Sequence, residues 1–145
     1  MLIPTTVLTA TPGGGSGVQL IDYVEQTSTV TFVGETTVVT SNSFIADGTS
    51  KYEIEFFCAL VALFGNPSNL NLREDPSGAN TDLGIIAQLS DGSTQDALTV
   101  SRILIPTAGS HQYRITATRV SGSGTPQLTA GVGYMPMFIK VMKLG

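Results

Sequence analysis

Residues 101–131 read SRILIPTAGSHQYRITATRVSGSGTPQLTAG, and this stretch decides the fold class. A strand-like run stops at Pro106-Thr107-Ala108-Gly109-Ser110, resumes from His111 to Val120, and stops again at Ser121-Gly122-Ser123-Gly124-Thr125-Pro126. Within the middle run Tyr113, Ile115 and Ala117 alternate with Arg114, Thr116 and Thr118. Side chains alternate across a strand, so the first set is assigned inward and the second outward. The breaks are rich in Gly, Ser and Pro, which suit tight connections and oppose helix. The stretch therefore reads as antiparallel sheet.

The same grammar extends in both directions. Val18–Glu25 and Thr29–Val33 are rich in β-branched and aromatic residues, with a short segment at Val38–Val39. After Asp47-Gly48 comes the strongest alternation in the chain. Tyr52, Ile54, Phe56, Cys58 and Leu60 fall on one face, with Lys51, Glu53, Glu55, Phe57 and Ala59 opposite. The second face turns from charged to apolar midway, so one end of this strand is expected in solvent and the other under cover. Leu70–Arg73, Ile85–Leu89, Leu98–Ile105, Leu128–Tyr134 and Met137–Leu144 complete the set, with a bulge or bend expected at Pro136. About eight short strands without a long amphipathic helix are most economically buried as a two-sheet sandwich or a barrel. Both faces of Phe56–Phe64 are apolar, which calls for a cover beyond the primary core, most simply an identical neighbour. Phe57, Val61, Tyr134, Met135 and Met137 are candidates for that contact and equally for ordinary core.

Composition narrows the function classes. A chain of 145 residues is about one domain. Charged residues make up 12% of it, about half the usual share. The seven basic residues are scattered and the net charge is −4, so the clustered basic stripe of a nucleic-acid surface is missing. No window approaches the ~20 apolar residues that cross a bilayer. The N-terminus lacks the basic region and apolar core of a secretory signal, so if the protein leaves its cell, lysis or passage as part of a particle is the expected route. Mean hydropathy is +0.23, which leaves uncharged groups over much of the surface, as expected of a subunit buried against copies of itself or a large partner. Residues 1–17 divide into an apolar-threonine arm, Met1–Thr11, and the hinge Pro12-Gly13-Gly14-Gly15-Ser16-Gly17. Met1–Thr11 is expected to serve as an arm or an exchanged edge strand, with a frayed terminus as the alternative.

No catalytic constellation emerges. Ser110 and His111 are adjacent in a strand and point to opposite faces, so they do not form a nucleophile–base pair, and His111 is read as a structural group at a strand start. Glu53 and Glu55 share one face at ~7 Å, a spacing that an inverting carboxylate pair could use. Their open setting makes them rim carboxylates. Glu74, Asp75, Asn80 and Asp82 surround an acidic loop whose spacing departs from the calcium-loop pattern. Cys58 stands alone in an apolar run and reads as an inert core thiol. Neither glycine-rich region continues into a phosphate-binding helix. No catalytic, cofactor-binding or metal residue is therefore assigned.

Three segments carry a family resemblance over roughly Val18–Leu144. They are Phe44-Ile45-Ala46-Asp47-Gly48-Thr49-Ser50-Lys51-Tyr52-Glu53-Ile54, Leu104–Ile115, and Gly131-Val132-Gly133-Tyr134 with Ile139-Lys140-Val141. Together they resemble the trimeric jelly rolls of the complement-globular and tumour-necrosis-factor-like type, especially virion surface, decoration and fibre-head modules of tailed bacteriophages. The resemblance implies one all-β jelly-roll sandwich over 18–145, preceded by the arm and hinge of 1–17. It implies a noncatalytic homotrimer without cofactor, nucleic-acid or membrane partner, at the virion surface. The short arm and missing shaft tilt the expectation toward a capsid decoration protein that contacts the major capsid protein through its arm and domain base. The alternative is the receptor- or carbohydrate-binding head of a tail fibre or baseplate. Aromatic or acidic residues gathered at one loop end would favour that head.

Overall fold

The computed structural model describes residues 17–75, 80–90 and 97–145. The arm and hinge expected over 1–17 lie outside these residues except for Gly17. The described residues form thirteen strands and no helix. They are β1 Gln19–Gln26, β2 Val30–Thr31, β3 Thr36–Thr40, β4 Phe44–Ala46, β5 Lys51–Cys58, β6 Leu60–Ala62 and β7 Ser68–Glu74. Then follow β8 Thr81–Leu89, β9 Leu98–Leu104, β10 Gly109–His111, β11 Tyr113–Arg119, β12 Gln127–Thr129 and β13 Met137–Leu144.

Two four-stranded antiparallel sheets, ordered β1-β13-β5-β9 and β3-β11-β7-β8, form the two layers of a sandwich. A three-stranded sheet, β2-β12-β6, and the pair β10-β4 complete it. The strongest sequence alternation sits where sandwich geometry demands it. In β5 burial alternates along the strand, with Tyr52, Ile54, Phe56 and Cys58 buried. Met137, Ile139 and Val141 do the same in the neighbouring β13. From the second sheet Leu70, Leu72, Tyr113, Ile115 and Ala117 meet them, each fully buried. Removing each of the Leu, Ile, Val, Phe and Met side chains from water contributes roughly 1.5–3 kcal/mol, so these rows hold the layers together.

The run Phe56–Phe64 departs from its sequence reading. The strand bends at Ala59, and the chain passes from the first sheet into the β2-β12-β6 sheet. The alternation changes phase there, so Val61, Ala62 and Leu63 are buried consecutively within this chain. A corner between sheets explains the doubly apolar run without a neighbour. Val61 and Met137 are core, Phe57 is half-buried on the outer face, and Tyr134 and Met135 are exposed.

Other boundaries shift modestly. The break at Pro106–Ser110 is shorter than expected, because Gly109–His111 already pairs with Phe44–Ala46. Gln112 then interrupts the run, and its carbonyl accepts the Asp75 amide at 2.8 Å. Before β13, the expected bend at Pro136 follows an isolated bridge between Gly131 and Tyr134. Glycine is required at Gly122, where φ is +96° and a β-carbon would overlap the Asn66 side chain. No helix among the described residues is long and apolar enough to cross a membrane.

Candidate functional site

The register of the first sheet builds an aromatic strip on its outer face. Phe138 in β13 lies opposite Phe57 in β5, and Tyr23 of β1 packs beside it. Ring centroids are 5.3 Å apart for Phe57–Phe138 and 5.1 Å for Tyr23–Phe138. Lys140 sits 5.9 Å from the Phe138 ring centroid and pairs with Glu55 at 2.5 Å. Leu20 and Ile103, exposed on the flanking strands, extend the apolar area toward the end of the sheet where β1 begins. Glu55 is thus engaged with Lys140, and Glu53 lies across from Ile103 and Met142. The two glutamates lie on the open outer face, as the sequence reading placed them.

The second candidate is the end of the sandwich where β5 stops and β13 starts. Residues 27–34, 63–67, 120–127 and 130–136 contain no Asp, Glu, Lys, Arg or His. Hydrogen bonds tie these loops together. Asn66 accepts the Gly124 amide at 2.8 Å and donates to the Leu63 carbonyl at 2.9 Å. Thr29 donates to the Ala130 carbonyl at 2.9 Å, and the Phe32 amide reaches the Pro126 carbonyl at 3.1 Å. From this frame Val33, Phe64, Val120, Val132, Tyr134 and Met135 stand exposed. Phe64 (φ 52°) and Val132 (φ 45°) occupy the left-handed region, which is strained for bulky and β-branched residues and is found where the surrounding structure enforces it.

The opposite end gathers the ionisable groups. Asp47 accepts the Ser50 hydroxyl at 2.6 Å, the Ser50 and Thr49 amides at 2.8 and 2.9 Å, and pairs with Lys143 at 3.0 Å. The Ser50 hydroxyl first, then these amides and Lys143, hold the Asp47 carboxyl far below the usual carboxylate range. His111 is buried at 2% exposure. Its Nε2 donates to the Thr107 carbonyl at 2.8 Å, while Nδ1 lies 3.1 Å from Glu74, within ion-pair distance but outside hydrogen-bond geometry. Tyr113 stacks on His111 and donates its hydroxyl to Glu74 at 2.5 Å. Burial first, and Glu74 second, push the Tyr113 hydroxyl well above its ordinary value.

This His111–Glu74–Tyr113 cluster sits beneath the surface and joins three chain segments. Ser110 is exposed on the other side of β10, so it takes no part. The acidic loop is likewise dispersed. Glu74 turns inward, Asp75 accepts the Asn80 amide at 3.4 Å, and Asp82 accepts the Gly84 amide at 2.8 Å and Asn71 at 3.1 Å. Among the described residues no three His, Cys, Asp or Glu side chains converge as a metal site. Cys58 is fully buried, and burial raises its thiol above the ordinary value.

No family model and no curated protein matches the chain. Among solved structures, it is similar to a chain in the structure of infectious bursal disease virus Gt strain. That match has 11% identity and a TM-score of 0.43, covering 87% of this chain and 36% of the viral one. This chain thus spans about a third of the viral chain's length. It is also similar to a family 35 carbohydrate binding module from Clostridium thermocellum, with 14% identity and a TM-score of 0.36 over 86% of this chain and 90% of the module. A third match is the carbohydrate binding module CBM6cm-2 from Cellvibrio mixtus lichenase 5A in complex with cellotriose. It shows 20% identity and a TM-score of 0.37 over 86% of this chain and 87% of the module. No residue role passes from these proteins to this chain.

Sequence reasoning placed Phe57, Tyr134 and Met135 among the contact candidates. It missed Tyr23 and Phe138, whose stacking depends on register between strands more than a hundred residues apart. It also missed the apolar loop end. The signal for that end was present as four loops without a charge, but only the fold shows that they converge.

Proposed function

We propose that this protein is a noncatalytic jelly-roll subunit that assembles as a homotrimer and acts as a binding head at the surface of a virion, in a tail fibre or baseplate. The strand orders β1-β13-β5-β9 and β3-β11-β7-β8, four long strands in each layer, support the jelly-roll reading. The outer face of the first sheet supports assembly. Tyr23, Phe57 and Phe138 form a stacked strip on a surface that a monomer would leave wet, and symmetric association buries it.

The observation that carries the binding role is the apolar loop end, where four described loops contain no charged residue. Aromatic and apolar tips on a hydrogen-bonded frame are preorganised for contact, which lowers the ordering cost of binding. Three copies on one axis present three such ends together, so weak individual contacts gain avidity. The buried position of His111 beside Glu74 supports a noncatalytic role, because a base sealed from solvent has no substrate to serve.

A second reading, a capsid decoration protein, is favoured by the apolar-threonine arm of residues 1–11. Gly17, the first described residue, lines a cleft with Ser50, Lys143 and Gly145. On that reading arm and base contact the major capsid protein. Two measurements separate the roles. Mass in solution is expected to be that of a trimer at micromolar concentration, and a stable monomer overturns both. Host-cell binding by the full chain, with no cosedimentation on assembled capsids, is expected of the head, and the reverse outcome selects decoration.

A further inference from the structure

At the end of the sandwich where β5 stops and β13 starts, the second sheet carries an open cleft of about 160 Å³ between β7, β8 and the exit of β11. Its walls are Pro67, Leu89 and Val120, and its polar lining includes Asn69, Gln88 and Ser90. Asn69 and Gln88 face one another across the β7–β8 pair. Thr118 continues the same row on β11, opposite Asn69.

These amides differ from the next one along the strand. The Asn71 amide is committed to Asp82 at 3.1 and 3.2 Å. The side chains of Asn69 and Gln88 make no hydrogen bond with the other described residues, so each offers a donor and an acceptor to whatever enters. Ser68, on the floor, is already spent on the Asn66 carbonyl at 2.9 Å.

The cleft's chemistry selects its ligand by exclusion. No described charged side chain lines it. Arg119 donates to the Gly124 carbonyl at 2.5 Å, and Arg73 is held by Glu35. A carboxylate or phosphate would lose its hydration without a cation in return. A purely apolar ligand would strip water from two amides and leave them unpaired. A neutral pyranose satisfies both requirements, with vicinal hydroxyls for Asn69 and Gln88 and a ring C–H face for Pro67 and Val120.

We propose that this cleft takes one uncharged pyranose residue of a glycan. The assignment deepens the binding-head reading and rests on it for its biological setting. A single open site of this size binds weakly, on the order of millimolar, and the trimer supplies the avidity.

The test titrates the full chain with methyl α-D-glucopyranoside, methyl β-D-galactopyranoside and methyl α-D-mannopyranoside, and with the methyl glycoside of N-acetylneuraminic acid as the anionic probe. Amide NMR reports binding at the Asn69 and Gln88 side chains. At least one neutral glycoside is expected to shift both signals. Asn69→Ala and Gln88→Ala, both at outward positions, are each expected to weaken that binding about fivefold with thermal unfolding unchanged. No shift at either amide with any neutral glycoside well above millimolar overturns the assignment, as does binding of the anionic probe alone. Host-cell binding that survives both substitutions removes the cleft while leaving the head in place. Intact glycoside binding without host-cell binding keeps the cleft and removes the head.

Discussion

The outer faces of the two sheets are built from antiparallel strands of similar length, yet their chemistry is opposite. On the second sheet the outward groups answer one another. Arg73 reaches Glu35 at 2.5 and 2.9 Å, Thr116 donates to the same carboxylate at 2.8 Å, Asn71 holds Asp82, and Arg114 holds Asn80. On the first sheet Tyr23, Phe138 and Phe57 stack instead, and Lys140–Glu55 is the ion pair beside them. The charged groups of the second sheet's face are met within it, and its open amides Asn69 and Gln88 sit at ease in water. The other gains most when water is removed from its aromatic area. The inward rows do not differ in this way, so the asymmetry belongs to the surface and not to the core.

The largest effect expected from this contrast is at Phe138. Phe138→Asp places an uncompensated charge in the centre of the proposed subunit contact, and the trimer is expected to dissociate to a monomer in sedimentation at micromolar concentration. Phe138→Ala, which adds no charge, is expected to weaken association without abolishing it. Thr118→Asp puts the same charge on the other outer face and is expected to leave the mass unchanged. If Thr118→Asp dissociates the protein and Phe138→Asp does not, the faces have been assigned the wrong way round.

Next come the inward rows, where the two sheets are expected to behave alike. Ile139 of the first sheet and Ile115 of the second are both fully buried. Ile139→Ala and Ile115→Ala are each expected to cost about 2–5 kcal/mol in denaturant unfolding, from lost burial and the cavity left behind. A marked difference between them would show that one layer contributes little to the shared core.

The inward rows were also the part most legible in the sequence, for a physical reason. Tyr113, Ile115 and Ala117 alternate with polar neighbours, so their burial follows from the period of two alone. The core place of Val61–Leu63 was left open because a strand that turns a corner changes sheet, and the change of phase at Ala59 leaves no mark in composition. The aromatic strip was half legible, since Phe57 stood out in its run while Tyr23 and Phe138 join it only through strand register. His111 was correctly set apart from Ser110, but its meeting with Glu74 and Tyr113 comes from pairing across the fold. The cleft amides carried no signal, because Asn and Gln are ordinary on any strand surface.

A smaller effect is expected where the polar groups lie inside. Tyr113→Phe removes the hydroxyl that donates to Glu74 and is expected to cost about 1 kcal/mol at neutral pH. It should also change the alkaline limb of the stability curve. The folded Tyr113 hydroxyl titrates above its ordinary value near 10, so the unfolded chain loses this proton first. Stability contributed by Tyr113 is therefore full below pH 10 and falls as pH rises past it, and the Phe variant should lose less over that range.

The smallest effect belongs to the polar outer face. Glu35→Gln breaks the ion pair with Arg73 and weakens the contact with Thr116, in a site open enough to water that the cost is about 0.2–1 kcal/mol. The acid limb is the more sensitive readout. Arg73 first, and Thr116 second, hold the folded Glu35 carboxyl below its ordinary value. The unfolded chain thus takes up this proton first as pH falls, so the stabilisation is full above about pH 4.5 and is lost below it. Glu35→Gln should flatten that part of the curve and leave the trimer mass untouched, since a face that answers its own charges has no partner to lose. Trimer dissociation in Glu35→Gln at pH 7 would place a subunit contact on the second sheet and break the division between the faces.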